Sequence, residues 1–203
     1  VIVYAYQQQL GGNAMSKKGI VVILSGASSV GKGNIRNLLK EDKDLNLHFS
    51  LSITTRPKKE NEVDGGDYYF VSFENFAKAV KNRELVEYTE FNGYYYGTPR
   101  HNVDFLLEQG KNVLIEVEAQ GVGPLKLNYP DALAFFVMPR SMEDLEAQII
   151  EVYGDDAADA QRRINKAKVD MEIADLFRNQ VSNEDPELAV SQIKEKILEA
   201  MKK

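Results

Sequence analysis

The 203-residue sequence contains no cysteine, only two histidines and no long hydrophobic run. Without cysteine the chain cannot form disulfides or thiolate zinc sites, and the well-separated His48 and His101 do not make a histidine-based metal site. No apolar segment approaches the roughly 18 residues that a membrane-spanning helix needs. We therefore expect a soluble protein, and the lack of cysteine is compatible with the reducing cytoplasm, where we expect it to reside.

Positive charge is scarce as well, because 25 lysine and arginine residues face 31 acidic residues and the formal net charge is -6. Nucleic-acid-binding surfaces depend on clustered lysine and arginine, since binding is driven by the release of counterions from the phosphates. No long basic run occurs in this sequence. We therefore predict neither a nucleic-acid nor a membrane partner, and any anionic ligand must be captured by a local site.

The length and a hydrophobic content of 43% predict one well-packed domain over residues 15–203. Residues 1–14 precede Met15, which looks like a natural start, and they lack the charged beginning and apolar middle of a signal peptide. We interpret them as a tag or an N-terminal extension. The alternative is an extra edge strand over Val1–Tyr6, which is rich in residues that favour strands.

Strands and helices alternate along most of the chain. Continuous apolar runs, typical of strands buried on both faces, cover residues 20–24, 112–118 and 132–138. Helical patterns follow the first run and lie around residues 123–127, 143–152, 160–177 and 187–203. This order predicts an α/β fold with a parallel sheet flanked by helices.

The stretch from Lys58 to Thr98 differs from the rest. It contains short aromatic strands at 68–71 and 94–96, a helix over 73–80, and glycine turns. We interpret it as an inserted, β-rich substrate-binding lobe. Further on, the acidic segment 154–159 joins two helical patterns and is either an ordinary loop or part of a mobile, helical lid.

Residues 26–32 read GASSVGK and match the phosphate-binding pattern G-x-x-x-x-G-K. In this pattern backbone N–H groups and a helix N-terminus surround a di- or triphosphate, and the lysine adds a positive charge. The match lies between a buried strand and a helix, as the mechanism requires. The serine or threonine that normally follows the lysine and ligates magnesium is replaced by Gly33, and Asn34, whose amide oxygen is a weaker ligand, comes next.

Further motifs follow the phosphate loop in a fixed order. They are SITTRP (52–57), EVDGGDYYFV (62–71), LVEY (85–88), YYGTP (95–99) and EVEAQG (116–121). This ordered series resembles the guanylate kinase family, from about Gly19 to the C-terminus. The resemblance implies a P-loop core (19–53, 99–140 and 160–203), a GMP-binding lobe (54–98) and a lid (about 141–159), which close around ATP, magnesium and GMP.

The resemblance also implies roles for individual residues. Those implied to bind ATP are Gly26, Ala27, Ser28, Ser29, Val30, Gly31, Lys32, Gly33, Asn34 and, near the adenine, Asn183. Those implied to hold the GMP phosphate are Ser52, Arg56, Lys59, Tyr68 and Tyr96, and those that read guanine are Glu87, Thr98 and Glu118. Lys32, Arg56 and Arg163 are implied to be catalytic. Asn34 is the candidate for magnesium.

The two glutamates suit this role chemically. Guanine offers N1–H and N2–H₂ donors that a carboxylate accepts, whereas adenine lacks both, so a buried carboxylate left without its donor disfavours AMP. Without the neighbouring motifs, Glu87 and Glu118 would be interpreted as solvated or strand-end carboxylates, and Arg56 could equally be a phosphate ligand or a surface arginine.

The sequence departs from the family at several positions. Lys59 and Ser29 replace an arginine and a glycine, and Gln148 and Val152 stand where two lid arginines are expected. Arg140, Arg162 and Lys166 are candidate replacements for those arginines. Residues 177–181 read FRNQV and so contain three polar residues where the family has an apolar core strand.

Two functions follow from these observations. The first is a guanylate kinase that transfers the γ-phosphoryl group of MgATP to GMP, with magnesium as cofactor. The alternative is a guanylate-kinase-like module that binds GMP or a phosphorylated ligand with weak or no transfer, because arginines that neutralise the transferring group have a large effect on rate.

Overall fold

The computed structural model describes residues 18–202, so the predictions for residues 1–14 lie outside it. The strands are β1 (Val21–Gly26), β2 (Leu47–Phe49), β3 (Ile53–Thr54), β4 (Tyr69–Phe70), β5 (Leu85–Phe91), β6 (Tyr94–Pro99), β7 (Asn112–Glu116), β8 (Leu133–Met138) and β9 (Asn179–Ser182). The helices are α1 (Lys32–Glu41), α2 (Phe73–Lys81), α3 (Arg100–Glu108), α4 (Val122–Asn128), α5 (Met142–Tyr153), α6 (Ala157–Glu172) and α7 (Pro186–Met201). Short 3₁₀ helices cover Lys43–Leu45, Ala119–Gly121 and Ala174–Leu176.

The larger sheet has five parallel strands in the order β2-β7-β1-β8-β9. The central strand β1 pairs with β7 on one side and with β8 on the other. Leu24 of β1 lies opposite Glu116, the last residue of β7. The phosphate loop and the end of β7 therefore meet at the carboxyl edge of the sheet, where ligands bind in folds of this kind.

Successive residues of β1 contribute to two different cores. Val22 and Leu24 pack with residues of α1, α5, α6 and α7, whereas Val21 and Ile23 pack with residues of α3 and α4. All of β1 is buried, and burying each such aliphatic side chain contributes about 2 kcal/mol. Helices on both faces of the sheet explain the continuous apolar run and confirm the predicted α/β class.

A second sheet has four strands in the order β4-β3-β6-β5. The β5–β6 hairpin turns through Asn92 and Gly93, whose φ angles of 55° and 77° are both positive, as a two-residue type I′ turn requires. Phe76 of α2 packs with Ile53 and Leu85 to form a separate small core. The expected β-rich insertion is present.

The polar residues of β9 are explained by its position at the edge of the larger sheet. Val181 is buried, whereas Gln180 and Ser182 are exposed. Asn179 Nδ2 donates to the carbonyl of Ala134 at 3.1 Å. An edge strand needs only one apolar face, which accounts for the three polar residues at a place where the family resemblance implies an apolar strand.

The predicted strands 20–24, 112–118 and 132–138 correspond to β1, β7 and β8. The sequence patterns did not anticipate β2, β5 or α3. The segment 154–159 is a tight corner between two helices rather than a long loop, because α5 ends at Tyr153 and α6 begins at Ala157. Asp156 caps α6 by accepting from the backbone N–H groups of residues 158 and 159. Between residues 18 and 202, every helix is too short or too polar to cross a membrane.

Candidate functional site

The phosphate-loop motif connects β1 to α1 at the carboxyl edge of the larger sheet. Gly31 precedes the helix with a φ of 90°, a conformation that glycine adopts without steric cost. Lys32 opens α1, and its Nζ donates to the carbonyl oxygens of Gly26 and Ala27, at 3.1 Å each. A buried ammonium group thus lies inside the loop, beside a helix N-terminus that favours anions.

Ser29 lies in the left-handed region of the backbone, with a φ of 65°. This conformation costs a residue with a Cβ atom roughly 1 kcal/mol, and glycine avoids that cost. The Oγ atom of Ser29 is buried and has no hydrogen-bond partner. The replacement of glycine at this position therefore strains the loop.

Two side chains from distant parts of the sequence hold the loop in place. Asp170 Oδ2, on α6, accepts from the backbone N–H of Ser28 at 3.0 Å. Asn183, just after β9, donates through Nδ2 to the carbonyl of Val30 at 2.5 Å. A Cβ atom on Gly31 would lie 2.7 Å from this Nδ2, so close packing also requires glycine there. The sequence did not reveal Asp170, because no local motif marks it.

A cavity of about 230 Å³ opens beside the loop. It is lined by Val30, Pro139, Arg140, Asp144, Leu145, Gln148 and Asn183. Since the carbonyl of Val30 engages Nδ2 of Asn183, the Oδ1 atom remains as an acceptor, and it is buried without a partner. A buried acceptor beside a phosphate loop suits the exocyclic amino group of adenine. A second cavity, of about 440 Å³ near the start of α3, contains none of the predicted site residues.

Arg56 follows β3 and lies against two aromatic rings. Its guanidinium carbon is 5.6 Å from the ring centroid of Tyr68 and 5.7 Å from that of Phe70. Glu62 accepts from both terminal nitrogens of Arg56, at 3.0 and 2.7 Å, and these hydrogen bonds lower the pKa of Glu62 to about 2. Glu62 thus occupies the guanidinium fork that a phosphate would use.

The other predicted phosphate ligands surround Arg56 to different extents. Tyr96, on β6, lies with its ring centroid 5.9 Å from that of Tyr68. Ser52, just before β3, is half-buried, and Lys59 is exposed. The structure therefore brings Arg56, Tyr68 and Tyr96 together, whereas the Lys59 side chain faces solvent.

Glu87, on β5, is 6% exposed and accepts a hydrogen bond from the Thr98 hydroxyl at 2.6 Å. Burial raises the pKa of Glu87 to about 7, and the charge of Glu118 acts in the same direction. Gly121 approaches closely, since an added Cβ there would lie 3.0 Å from Oε2 of Glu87. We refer to Glu87, Thr98 and Glu118 together as the acceptor pocket, because their oxygen atoms can accept hydrogen bonds from N–H donors.

Glu118 comes just after β7 and faces α6. Its Oε2 is buried and pairs with Nζ of Lys166 at 3.3 Å. Lys166 also pairs with Asp170 at 2.6 Å. The residue proposed from the sequence only as a replacement for a lid arginine thus stands between the acceptor pocket and the phosphate loop.

Glu116, at the end of β7, is a residue that the sequence reasoning missed. Its carboxylate pairs with Arg36 of α1 at 3.2 Å, and Arg36 lies 5.1 Å from the ring centroid of Phe49. P-loop enzymes hold magnesium with the loop hydroxyl and a separate acidic residue. The sequence signal that could have identified Glu116 is an acidic residue at the end of an apolar strand, because that strand, β7, pairs with β1, which leads into the phosphate loop.

The two positions where lid arginines are expected lie on the surface of α5. Val152 is 61% exposed, and Gln148 is exposed at the cavity beside the loop. Arg140 lines the same cavity but is largely exposed and pairs with Asp144 at 3.5 Å. Arg162 is about half exposed.

Arg163, the remaining lid arginine, lies between aromatic rings. Its guanidinium carbon is 3.8 Å from the ring centroid of Tyr153 and 5.5 Å from that of Phe91. Its Nε donates to Asp159 at 2.8 Å, and Asp159 also accepts from Asn92 of the β5–β6 turn at 2.9 Å. In this structure the side chain of Arg163 is held by these groups, away from the phosphate loop.

Donors for a metal ion are sparse at the loop. Gly33 has no side chain at the usual hydroxyl position, and Asn34 is exposed on the first turn of α1. Among residues 18–202, no three acidic or histidine side chains cluster closely enough to hold a metal. Magnesium in nucleotide sites is often held by one or two carboxylates together with substrate phosphates and water. Glu116 fits that arrangement, in which the metal arrives with the nucleotide.

Known proteins that are similar in sequence and structure are guanylate kinases. The family model described as guanylate kinase matches residues 18–200. A guanylate kinase from Mesoplasma florum is 41% identical over 179 residues, which make up 88% of this chain but only 60% of that protein. One from Enterococcus faecalis is 38% identical over 181 residues, 89% of each chain. The crystal structure of guanylate kinase from Anaplasma phagocytophilum has a TM-score of 0.73 and 28% identity, and the match covers 92% of this chain and 88% of that one.

We predict that Glu87 makes the stability of the fold depend on pH. Between its ordinary pKa of 4.5 and its folded value of about 7, the folded state binds more protons than the unfolded state. The contribution of Glu87 to stability is therefore fully present below pH 4.5 and is lost as the pH rises through 7. Relative to the wild type, Glu87→Gln should gain roughly 3 kcal/mol over this interval, measured by urea denaturation.

The matched control is Glu90→Gln, which changes an exposed carboxylate on the same strand. Its stability relative to the wild type should not vary over the same pH range. A difference between Glu87→Gln and the wild type that is independent of pH would contradict the raised pKa.

We also predict that Ser29→Gly stabilises the protein. Glycine removes the cost of a positive φ, and the expected gain is up to about 1 kcal/mol, or roughly 2 to 4 °C in Tm. Thermal denaturation measures the change. Ser28→Gly is the control, because Ser28 is not among the residues with positive φ and should become less stable. Equal destabilisation by both substitutions would show that Ser29 is not strained.

Proposed function

The chain belongs to the guanylate kinase family, and from this premise we propose that it transfers the γ-phosphoryl group of ATP to GMP, giving ADP and GDP. The observation that carries the proposal is the position of Lys166. Its ammonium group joins Asp170, which holds the phosphate loop, to Glu118 in the acceptor pocket. The site for a nucleoside triphosphate therefore adjoins the site for a purine with N–H donors.

Guanine is the base that the acceptor pocket suits best. Its N1–H and N2–H₂ groups donate to the carboxylates of Glu87 and Glu118, and Thr98 orients Glu87. Adenine has an acceptor at N1 and no amino group at C2, so it would leave buried carboxylate oxygens unpaired. Glu118, whose buried Oε2 is held by Lys166, is the second acceptor in this proposal.

The phosphate of GMP binds at Arg56. The hydroxyl groups of Tyr68, just before β4, and of Tyr96, on β6, donate hydrogen bonds to it, and Ser52 adds a third hydroxyl. To make a bidentate contact the phosphate must displace Glu62 from the guanidinium fork. Lys59, at the expected position of a second arginine, supplies charge without bidentate geometry.

ATP binds along the phosphate loop, residues 26–34, with Lys32 on its phosphates. The adenine enters the neighbouring cavity, where Oδ1 of Asn183 accepts from its amino group. Guanylate kinases use ATP, and such kinases generally need a divalent metal. We propose that the metal is magnesium, which would neutralise phosphate charge when bound, and that Glu116 rather than the exposed Asn34 faces it.

The chemistry requires no general base. A phosphate oxygen of GMP, already anionic near neutral pH, forms the new bond to the γ-phosphorus while the bond to the bridging oxygen of ADP breaks. Catalysis then depends on positioning and on charge neutralisation by Lys32, Arg56 and Arg163. Arg163 must leave Asp159 and the aromatic rings to reach the transferring group.

In this proposal each part of the chain has its own role. Residues 54–98 form the GMP-binding lobe, residues 141–159 the lid, and residues 19–53, 99–140 and 160–203 the core. The substrates are ATP and GMP, and the cytoplasm, which contains both, is the proposed compartment.

Turnover with both substrates tests this proposal. We expect ADP release that requires GMP and magnesium together, measured in a coupled assay with purified protein. Binding of GMP by calorimetry without turnover above background would contradict the kinase and support the binding module. The absence of GMP binding would contradict both.

The same assay can measure the effect of placing arginine at positions 148 and 152, where the family has arginines. Gln148→Arg should raise kcat at least about tenfold, because position 148 lies at the cavity beside the loop, where a cation can approach the phosphates. The double variant with Val152→Arg should gain more. Ala147→Arg, on an exposed neighbouring position of α5, adds the same single charge elsewhere and should have little effect. An equal gain from Gln148→Arg and Ala147→Arg would show that net charge alone matters.

A further inference from the structure

Lys166 is the most deeply placed cation of the two helices α5 and α6. Its side chain is 18% exposed and pairs with Asp170 at 2.6 Å and with Glu118 at 3.3 Å. Lys168, two residues after Lys166 on the same helix, is 55% exposed and pairs with Glu146 at 2.9 Å. Of these two ion-paired lysines, Lys166 is the one largely removed from solvent, so salt and water screen its ion pairs only weakly.

The two partners of Lys166 serve different substrates in the proposed function. Asp170 is 2% exposed, and its second oxygen holds the phosphate loop through the N–H of Ser28. Glu118 belongs to the acceptor pocket, and its buried Oε2 is the atom that pairs with Lys166. Hydrogen bonds and ion pairs thus run without interruption from the loop through one ammonium group to the acceptor pocket.

The surrounding charges make this ammonium group necessary. Glu87, on β5, and Asp170, on α6, are both buried near Glu118, and burial raises the pKa of each. The pKa of Lys166 is raised even though burial opposes its charge, because Asp170 and Glu118 favour it. Without a cation between them, two carboxylates in a poorly solvated region would repel each other and move apart.

We propose that Lys166 is a positioning residue that couples the two substrate sites. It holds the oxygen of Glu118 toward guanine and holds Asp170 against the phosphate loop, so that each nucleotide binds to a site already shaped by the same ion pair. This inference rests on the proposed function for the identity of the nucleotides. Its test uses binding, which does not depend on turnover.

The test measures the affinities for GMP and for ADP separately by calorimetry. Lys166→Met keeps the aliphatic part of the side chain and removes the charge, and it should weaken both affinities about tenfold. Lys166→Arg should recover a substantial part of both. The matched control is Lys168→Met, which breaks the exposed ion pair on the same helix and should change neither affinity.

Substitutions at the two ends of the network separate coupling from a general loss of structure. Glu118→Gln should weaken ADP binding, and Asp170→Asn should weaken GMP binding, each about threefold or more. In the Lys166→Met background these effects on the distant nucleotide should disappear. A merely structural role would instead lower the folded fraction and leave the affinities of the folded protein unchanged.

Several outcomes would overturn the inference. Unchanged affinities in Lys166→Met would do so, as would effects of Glu118→Gln confined to GMP and effects of Asp170→Asn confined to ADP. If Lys166→Met does not fold, the single substitutions at 118 and 170 decide the question in the same way. A wild type that binds GMP and ADP without turnover would remove the kinase proposal and leave the coupling test intact.

Discussion

The fold buries negative charge at the edge of the sheet where two anionic substrates must bind, and the rest of the site is arranged around this constraint. A buried carboxylate without partners costs several kcal/mol. Glu87 accepts a hydrogen bond from the Thr98 hydroxyl, and burial raises its pKa. Asp170 pairs with Lys166 and accepts from the backbone N–H of Ser28 in the phosphate loop. The buried Oε2 of Glu118 is paired with Lys166. In the proposed function the donors of guanine add to this set, which would connect base selection to the packing of the core.

The cations of the site are already engaged by groups of the chain itself. Lys32 donates to loop carbonyls, Arg56 is held by Glu62, and Arg163 is held by Asp159. Substrate phosphates must therefore exchange one acceptor for another rather than meet free charges. For Arg163 this exchange involves the start of α6, since its partner Asp159 also accepts a hydrogen bond from Asn92 of the β5–β6 turn.

Local features of the site could be predicted from the sequence, and those that depend on tertiary contacts could not. The phosphate loop was recognisable because its chemistry lies in seven consecutive residues between a strand and a helix. Asp170 approaches Ser28 across 142 positions of the sequence, and no motif reports such a contact. Lys166 had been interpreted only as a replacement for an arginine, because the spacing of a helix does not show which carboxylates will face it.

The same distinction applies to the fold. Buried strands such as β1 have continuous apolar runs, so their positions were predictable. The polar residues of β9 could not be explained from the sequence, because edge position is a property of the assembled sheet. The roles assigned to Arg56, Glu87 and Glu118 came from the family resemblance. The structure adds that Arg56 lies against Tyr68, and that the charge of Glu118 contributes to the raised pKa of Glu87.

The central claim is that buried carboxylates select guanine, and acceptor selectivity tests it most directly. Binding of GMP, IMP and AMP to the wild type should be compared by calorimetry under identical conditions. IMP keeps the N1–H group and loses the amino group at C2, so it should bind about tenfold or more weakly than GMP, and AMP, which lacks both donors, about a thousandfold more weakly. Comparable affinities for GMP and AMP would contradict the account.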